Sequence, residues 1–327
     1  MSLDLKNKRI LFIGPVFYDY QLIIKSKLES YGAEVIFFGE RDYTFKFKIA
    51  NNLFNKNIDA FQKKHYDRIL NKVSLTDFDF LFVIRGYKIP IEFVKKFKDL
   101  NPNSKTIMYQ WDSIKNNEYI HLLPHFDILF SFDKSDVERN SSLKYLPLFY
   151  SDDIKKLGDY DNKNSFRYDV FFFGYYLPER YEMMLRLLEF SRNKNIVLKT
   201  FLYIPFTRYV KEILKGNRIR FSIVSFKPLK RSEYLSLLRD SNAIFDSSSI
   251  TQSGLSMRVI ETIGAKRKLI TSNAYIKTDN IYNPKQILVV SPNNLEETLP
   301  FLKTEIDNYS KGYSLDQWLS TIFNQVN

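Results

Sequence analysis

The feature that most restricts the fold is an alternation of short apolar segments with amphipathic ones, run through twice. In the first half the apolar segments are RILFIG (9–14), EVIFFG (34–39), FDFLFVIRG (78–86), KTIMYQW (105–111), DILFSF (127–132) and LKYLPLF (143–149). They are nearly continuous rather than alternating, the mark of strands buried on both faces of a parallel sheet. Between the first two, Ile24, Leu28 and Tyr31 recur at helical spacing, and Gly32 closes the helix. A second set follows: YDVFFFG (168–174), IVLKTFLY (196–203), RFSIVSF (220–226), AIFDSS (243–248), KLITSN (268–273) and ILVVS (287–291). Tyr181, Met184, Leu185 and Leu188 form a core stripe between its first two members, and Ser232 is placed to cap the helix SEYLSLLRD. Each half therefore reads as a doubly wound α/β domain.

A length of 327 residues suits two domains. We expect 1–155 as the first, 165–300 as the second, and terminal helices over 301–327. The polar stretch 150–167 reads as a linker, and the Lys- and Asn-rich 44–74 as a mainly helical insertion. No apolar run is long enough to span a bilayer, and MSLDLKNKR puts charge where a secretory signal would be apolar. The absence of cysteine excludes disulfides and thiolate chemistry, and a reducing cytoplasm is the expected compartment. A formal charge of +12 favours anionic partners such as nucleotides or the anionic inner face of a membrane. Nucleic acid is not expected, because the cations are scattered rather than gathered into a stripe.

The most informative segment is 241–273, SNAIFDSSSITQSGLSMRVIETIGAKRKLITSN. A buried strand ends at Asp246, a hydroxyl-rich loop follows, and a helix opens near Gly254. Gly254, Arg258 and Glu261 share one narrow arc of that helix, and apolar residues fill the rest. A minority arc either faces solvent or, at the carboxyl end of a strand, faces a ligand. On the second reading the backbone amides over 253–256 and the loop hydroxyls hold a diphosphate. Arg258 adds charge there, and Glu261 accepts from two ribose hydroxyls. The donor-site candidates here are Gln252, Ser253, Gly254, Leu255, Ser256, Arg258 and Glu261. In VFFFGYYLPER, Gly174 permits close backbone approach and Arg180 reaches a phosphate.

QSGLSMRVIE and GAKRKLITSN resemble the donor-binding region of CgeB-like, group-1-like bacterial glycosyltransferases, many of them from lipopolysaccharide or capsule loci. The likeness extends to YDVFFFG, EYLSLLRDSNAIFD, YQWDS and FDILFSFDKSD. It implies two Rossmann-like domains facing across a cleft, the GT-B arrangement. It further implies that the base stacks near Phe226 and Lys227, and that the tail around Trp318 crosses back to the first domain. Retaining relatives carry two glutamates flanking the helix start. Here Glu261 matches the second, while Ser253 stands at the first, which leaves inverting and retaining outcomes both open.

On the acceptor side, Gly14 with Pro15 makes a tight turn after the first strand, and Asp19 lies just beyond it. Arg85 ends another strand and is a candidate for touching acceptor or phosphate. Asp112 is either a general base for an acceptor hydroxyl or a helix N-cap. Asp133 and Asp136 read as turn and cap residues. Neither the histidines His65, His121 and His125 nor the pairs Asp77/Asp79 and Asp159/Asp161 are set out as a metal site, so no metal or other cofactor is expected. The reading is a metal-independent glycosyltransferase that moves a sugar from a nucleotide-sugar co-substrate to a hydroxyl of a surface glycan or lipid-linked oligosaccharide. A nucleotide-sugar 2-epimerase and a non-catalytic nucleotide-sugar or glycan-binding subunit are the alternatives.

Overall fold

The computed structural model describes residues 3–42, 58–159, 166–247, 253–291 and 294–324. The chain forms two compact units, 1–148 with 315–327, and 149–314.

In the first unit the elements run β1 (Arg9–Gly14), α1 (Tyr20–Ser30), β2 (Glu34–Gly39), α2 (Ile58–Val73), β3 (Phe80–Ile84), α3 (Ile91–Leu100), β4 (Lys105–Gln110), β5 (Ile128–Ser131), α4 (Lys134–Arg139) and β6 (Lys144–Tyr145). The sheet is parallel throughout, in the order β2-β1-β3-β4-β5-β6. Leu11, Ile13, Leu81, Val83 and Met108 are buried against α2 and α3 on one face, while Phe12, Phe82 and Tyr109 are buried on the other, so these strands are apolar on both faces. The order reverses between β1 and β3, so this unit's crevice opens at their carboxyl ends.

The second unit begins with β7 (Phe149–Tyr150) and α5 (Asp152–Asp159). Within the stretch expected as a linker, Asp152–Asp159 is thus helix. Ile154 of α5 is buried with Phe171, Leu238 and Ile244, and that burial draws the helix into the second core. There follow β8 (Tyr168–Tyr175), α6 (Pro178–Asn193), β9 (Leu198–Tyr203), α7 (Phe206–Leu214), α8 (Arg231–Arg239), β10 (Ser241–Asp246), α9 (Met257–Gly264), β11 (Lys268–Thr271), β12 (Ile287–Val289), α10 (Thr298–Lys303) and β13 (Tyr313–Ser314). The sheet order is β12-β11-β10-β8-β9, again all parallel. Its switch point lies between β8 and β10. Tyr313–Ser314 of β13 pairs with β7, which holds 301–314 in this unit.

Two local expectations are corrected. Residues 220–226 form a short 3-10 turn (Phe221–Ile223) and a single bridge from Ser225 to Tyr203, not a strand. Phe221 is exposed and Pro228 follows closely, so the segment has neither burial nor continuing donors to sustain a ladder. Ser232 lies inside α8 rather than capping it. The cap is made by Glu233, whose carboxylate accepts from the Lys230 amide at 3.1 Å.

The last helix, α11 (Leu315–Phe323), belongs to the first unit. Trp318 is fully buried, with its ring 4.7 Å from Tyr109 and 6.1 Å from Phe82. Phe323 packs edge-on to Phe80 and Phe82. These aromatic contacts cover a face of the first sheet that α2 and α3 leave open.

Candidate functional site

At the switch point of the second sheet, β8 delivers Gly174 and β10 delivers Asp246 at neighbouring carboxyl ends. Two arginines converge there. A Cβ on Gly174 would lie 2.9 Å from Cδ of Arg180 and 3.1 Å from Nη2 of Arg258. Only glycine leaves both side chains room.

Arg180 comes from the first turn of α6. It donates from Nη1 to the Tyr175 carbonyl at 2.6 Å, and from Nε and Nη2 to the Ser247 carbonyl at 3.2 and 3.1 Å. Among the described residues these carbonyls take three of its five donors. Burial, and after it the adjacent Arg258 charge, push its guanidinium down to about 10.

Arg258 comes from the first turn of α9. Its Nη1 donates to Asp246 Oδ1 at 2.6 Å, and its guanidinium lies 4.6 Å from the Phe173 ring centre. Its Nε is buried and has no hydrogen-bond partner among the described residues. Asp246 is fully buried and also accepts from Ser256 at 3.0 Å and Thr271 at 3.1 Å. One carboxylate thus faces two guanidinium groups, a local excess of positive charge at a strand terminus.

Helix α9 opens at Met257, with Ser256 as its N-cap accepting from the Val259 amide at 3.4 Å. The helix therefore starts three residues later than the sequence implied. Ser253, Gly254 and Leu255 are buried in the turn that leads to it, because Ser256 supplies the first cap in the chain direction. Gln252 lies outside the described residues.

Glu261 occupies a different environment from its helix neighbour Arg258. It is 3% exposed, and its two oxygens accept from Arg231 Nη1 at 3.0 Å and from the Tyr234 hydroxyl at 2.7 Å. Arg231 in turn holds Asp153 at 2.9 Å and Ser151 at 2.7 Å. A partly buried chain of charges thereby ties α9, α8 and the start of α5 together. Phe226 sits partly buried among Phe206, Tyr209 and Phe221, and Lys227 is exposed beside it.

In the first unit, Asp112 lies just past β4, and no helix follows within 113–119, so Asp112 caps none. Its Oδ2 accepts from Arg85 Nη1 at 3.3 Å. Burial pushes its carboxyl above the usual range, against the opposing pull of Arg85. Arg85 has a left-handed backbone, φ 66°, an uncommon state for a non-glycine residue. Its carbonyl is held by Gln110 at 2.8 Å and Asn117 at 3.1 Å. Its guanidinium is paired with the fully buried Glu40, whose Oε2 also accepts from the Tyr87 amide at 3.1 Å. Arg85 is therefore braced between two carboxylates. Asp19, also left-handed with φ 63°, is exposed ahead of α1, and the Gly14 carbonyl accepts from the Glu40 amide at 2.9 Å.

Several of the residues weighed as metal ligands have protein partners. His121 pairs with Glu118 at 2.8 Å, and His65 bonds the Gly39 carbonyl at 2.8 Å. Asp79 holds Lys8 and the Arg9 amide, and Asp133 caps α4. Among the described residues no three His, Cys, Asp or Glu side chains gather into a metal site. No described helix is long and apolar enough to cross a membrane.

Sequence reasoning passed over Asp246, Glu40, Arg231 and Tyr234 as site residues. Asp246 had a visible signal, an acid closing an apolar strand ahead of an arginine. The other three become partners only through long-range packing.

No protein-family model matches this sequence, and no curated protein matches it. Solved structures do match over nearly the whole chain. An α-glucosyltransferase, solved in complex with UDP and a 13-mer DNA, is similar at a TM-score of 0.59 and 15% identity, covering 90% of this chain and 89% of its own. An α,α-trehalose-phosphate synthase (UDP-forming) from Burkholderia xenovorans matches at 0.59 and 12%, covering 97% and 99%. A UDP-GlcNAc 2-epimerase from Neisseria meningitidis, bound to UDP-GlcNAc, matches at 0.57 and 9%, covering 97% and 99%. The chain has the two-domain α/β fold of GT-B glycosyltransferases.

Proposed function

We propose that the chain transfers a sugar from a nucleoside-diphosphate sugar to a hydroxyl of a bacterial surface glycan or lipid-linked oligosaccharide, as the CgeB-like resemblance implies. The observation that carries this reading is the convergence of Arg180 and Arg258 on Gly174 at the switch point of the second sheet. Two partly buried guanidinium groups beside a single carboxylate suit a diphosphate, whose charge grows as the glycosidic bond breaks. The unpartnered Nε of Arg258 is a donor that a phosphate oxygen would satisfy.

In the proposed reaction the acceptor oxygen attacks the anomeric carbon, and its proton passes to a carboxylate, with Asp112 the candidate. The sugar–phosphate bond breaks, and the diphosphate leaves into the arginine site. With arginines to hold the leaving group, no metal is required, and transfer persists in excess chelator. Glu261 supports this site from behind by fixing Arg231 and Tyr234. Phe226 and Lys227 are the proposed neighbours of the base.

The test is a melting-temperature screen against nucleoside diphosphates and their sugars, since a ligand that binds only the folded chain raises the midpoint. The best donor is then incubated without acceptor. Slow hydrolysis supports a transferase. A donor recovered with its 2-position inverted supports the epimerase reading, which the Neisseria likeness keeps in view.

A further inference from the structure

Helix α7 is built the wrong way round for a helix that covers a sheet. At about 100° per residue, Phe206, Tyr209, Val210, Ile213 and Leu214 fall on one arc, with Arg208, Lys211 and Lys215 on the far side. Such an apolar arc ordinarily faces the core. Here Phe206 is 58% exposed, Val210 40%, Ile213 41% and Leu214 82%. Phe221, in the next segment, is 63% exposed and packs edge-on to Tyr209 and tilted against Phe226, which extends the same surface.

The exposure has a cause in the fold. The second sheet ends at β9, because 220–226 contribute one bridge in place of a strand. The outer part of α7 therefore extends past the sheet that would cover it. A contiguous exposed apolar patch of this kind marks an interaction surface.

The charges around the patch select its occupant. Between Phe206 and Phe221 there are five cations, Arg208, Lys211, Lys215, Arg218 and Arg220, against one acid, Glu212. Glu212 is turned inward, bonded to Asn217 at 2.6 Å and near Lys215. A second copy meeting this face symmetrically would oppose like charges. An apolar face with a cationic flank fits an interface lined with acidic headgroups, where the side chains enter the acyl boundary and the cations meet phosphates.

We propose that α7 and Phe221 form a docking surface for anionic phospholipid bilayers. The surface holds the second unit on the membrane without spanning it. The proposal stands apart from the transferase reading, since membrane binding is measured without donor or acceptor.

The experiment is co-sedimentation of the full chain with phosphatidylcholine vesicles, with and without phosphatidylglycerol, over a range of salt. Binding to the phosphatidylglycerol vesicles is expected, weakening as salt rises. Ile213→Ser/Leu214→Ser should weaken it by roughly tenfold or more. Lys211→Glu/Lys215→Glu, a second variant that leaves the apolar arc intact, should weaken it by a similar factor. All four side chains are at the surface, and melting midpoints and nucleotide affinity should match the parent. Three outcomes overturn the proposal: no vesicle binding by the parent, binding that neither variant alters, or a homodimer abolished by Ile213→Ser/Leu214→Ser in a chain that ignores vesicles.

Discussion

Arg180 and Arg258 are held side by side over Gly174, close enough that a single methyl group at that glycine would press on both. Asp246 and two backbone carbonyls offset the repulsion between them. Gly174→Ala should therefore move the arginines without removing them. Nucleoside-diphosphate affinity should fall by about tenfold or more, because charge-assisted bonds are sensitive to geometry. Calorimetric titration checks this, and unchanged affinity would place the ligand elsewhere.

Asp112 makes a prediction with a sign in pH. A general base must be ionised, and burial raises its carboxyl pKa. The rate should therefore climb with pH through a value above the usual carboxylate range. Asp112→Asn should keep nucleotide affinity and lose about 100-fold in turnover. Arg85→Gln removes a charge that favours the ionised form, so its acid limb should shift to higher pH. Full turnover by Asp112→Asn with a verified acceptor would move the base elsewhere, Asp19 first.

Glu261 and Arg231 form a buried pair, and breaking one side of such a pair costs about 3–5 kcal/mol. Glu261→Ala should lower the melting midpoint of the second unit by roughly 10 °C. A normal midpoint combined with weakened nucleotide binding would assign Glu261 to the ribose hydroxyls instead.

Lys268 is 5% exposed, and burial pushes its ammonium down to about 8. The unfolded chain then holds this proton more tightly than the folded one. The contribution of Lys268 to stability is lowest below pH 8 and grows as pH rises from there toward the ordinary lysine value. Lys268→Met should stabilise the chain at pH 7 by about 1–3 kcal/mol, with a smaller gain at higher pH. Its bond to the Leu302 carbonyl, 2.6 Å, would be lost, but Asn242 still serves that oxygen at 3.1 Å. Thermal melts of both proteins across that range decide it. A gain that does not shrink with pH would mean the charge is not the cause.

Most of the fold was legible because burial on both faces writes itself into short apolar runs, as in RILFIG and YDVFFFG. The misses are places where local pattern and packing part company. RFSIVSF reads as a strand by composition, yet it lies beyond the sheet edge, where little covers it. Residues 152–159 read as linker by polarity, yet one residue, Ile154, supplies the burial that makes the helix part of the core. At the site, Gly174, Arg180 and Arg258 were visible as residues at strand ends and helix starts. Asp246 as their shared counter-charge was not, nor was the enclosure of Glu261 by Arg231 and Tyr234. Those pairings span 12, 30 and 27 residues and exist only once α8, β10 and α9 pack.

The proposed transfer depends above all on contact between Arg258 and a nucleotide phosphate. Its most direct test is calorimetric titration of the parent chain and Arg258→Ala with UDP, GDP, ADP and CMP. The parent should bind at least one of them. Arg258→Ala should bind that nucleotide at least about tenfold more weakly, with its melting curve otherwise preserved. A parent chain that binds none of them, or an Arg258→Ala variant that binds as tightly as the parent, would contradict the account.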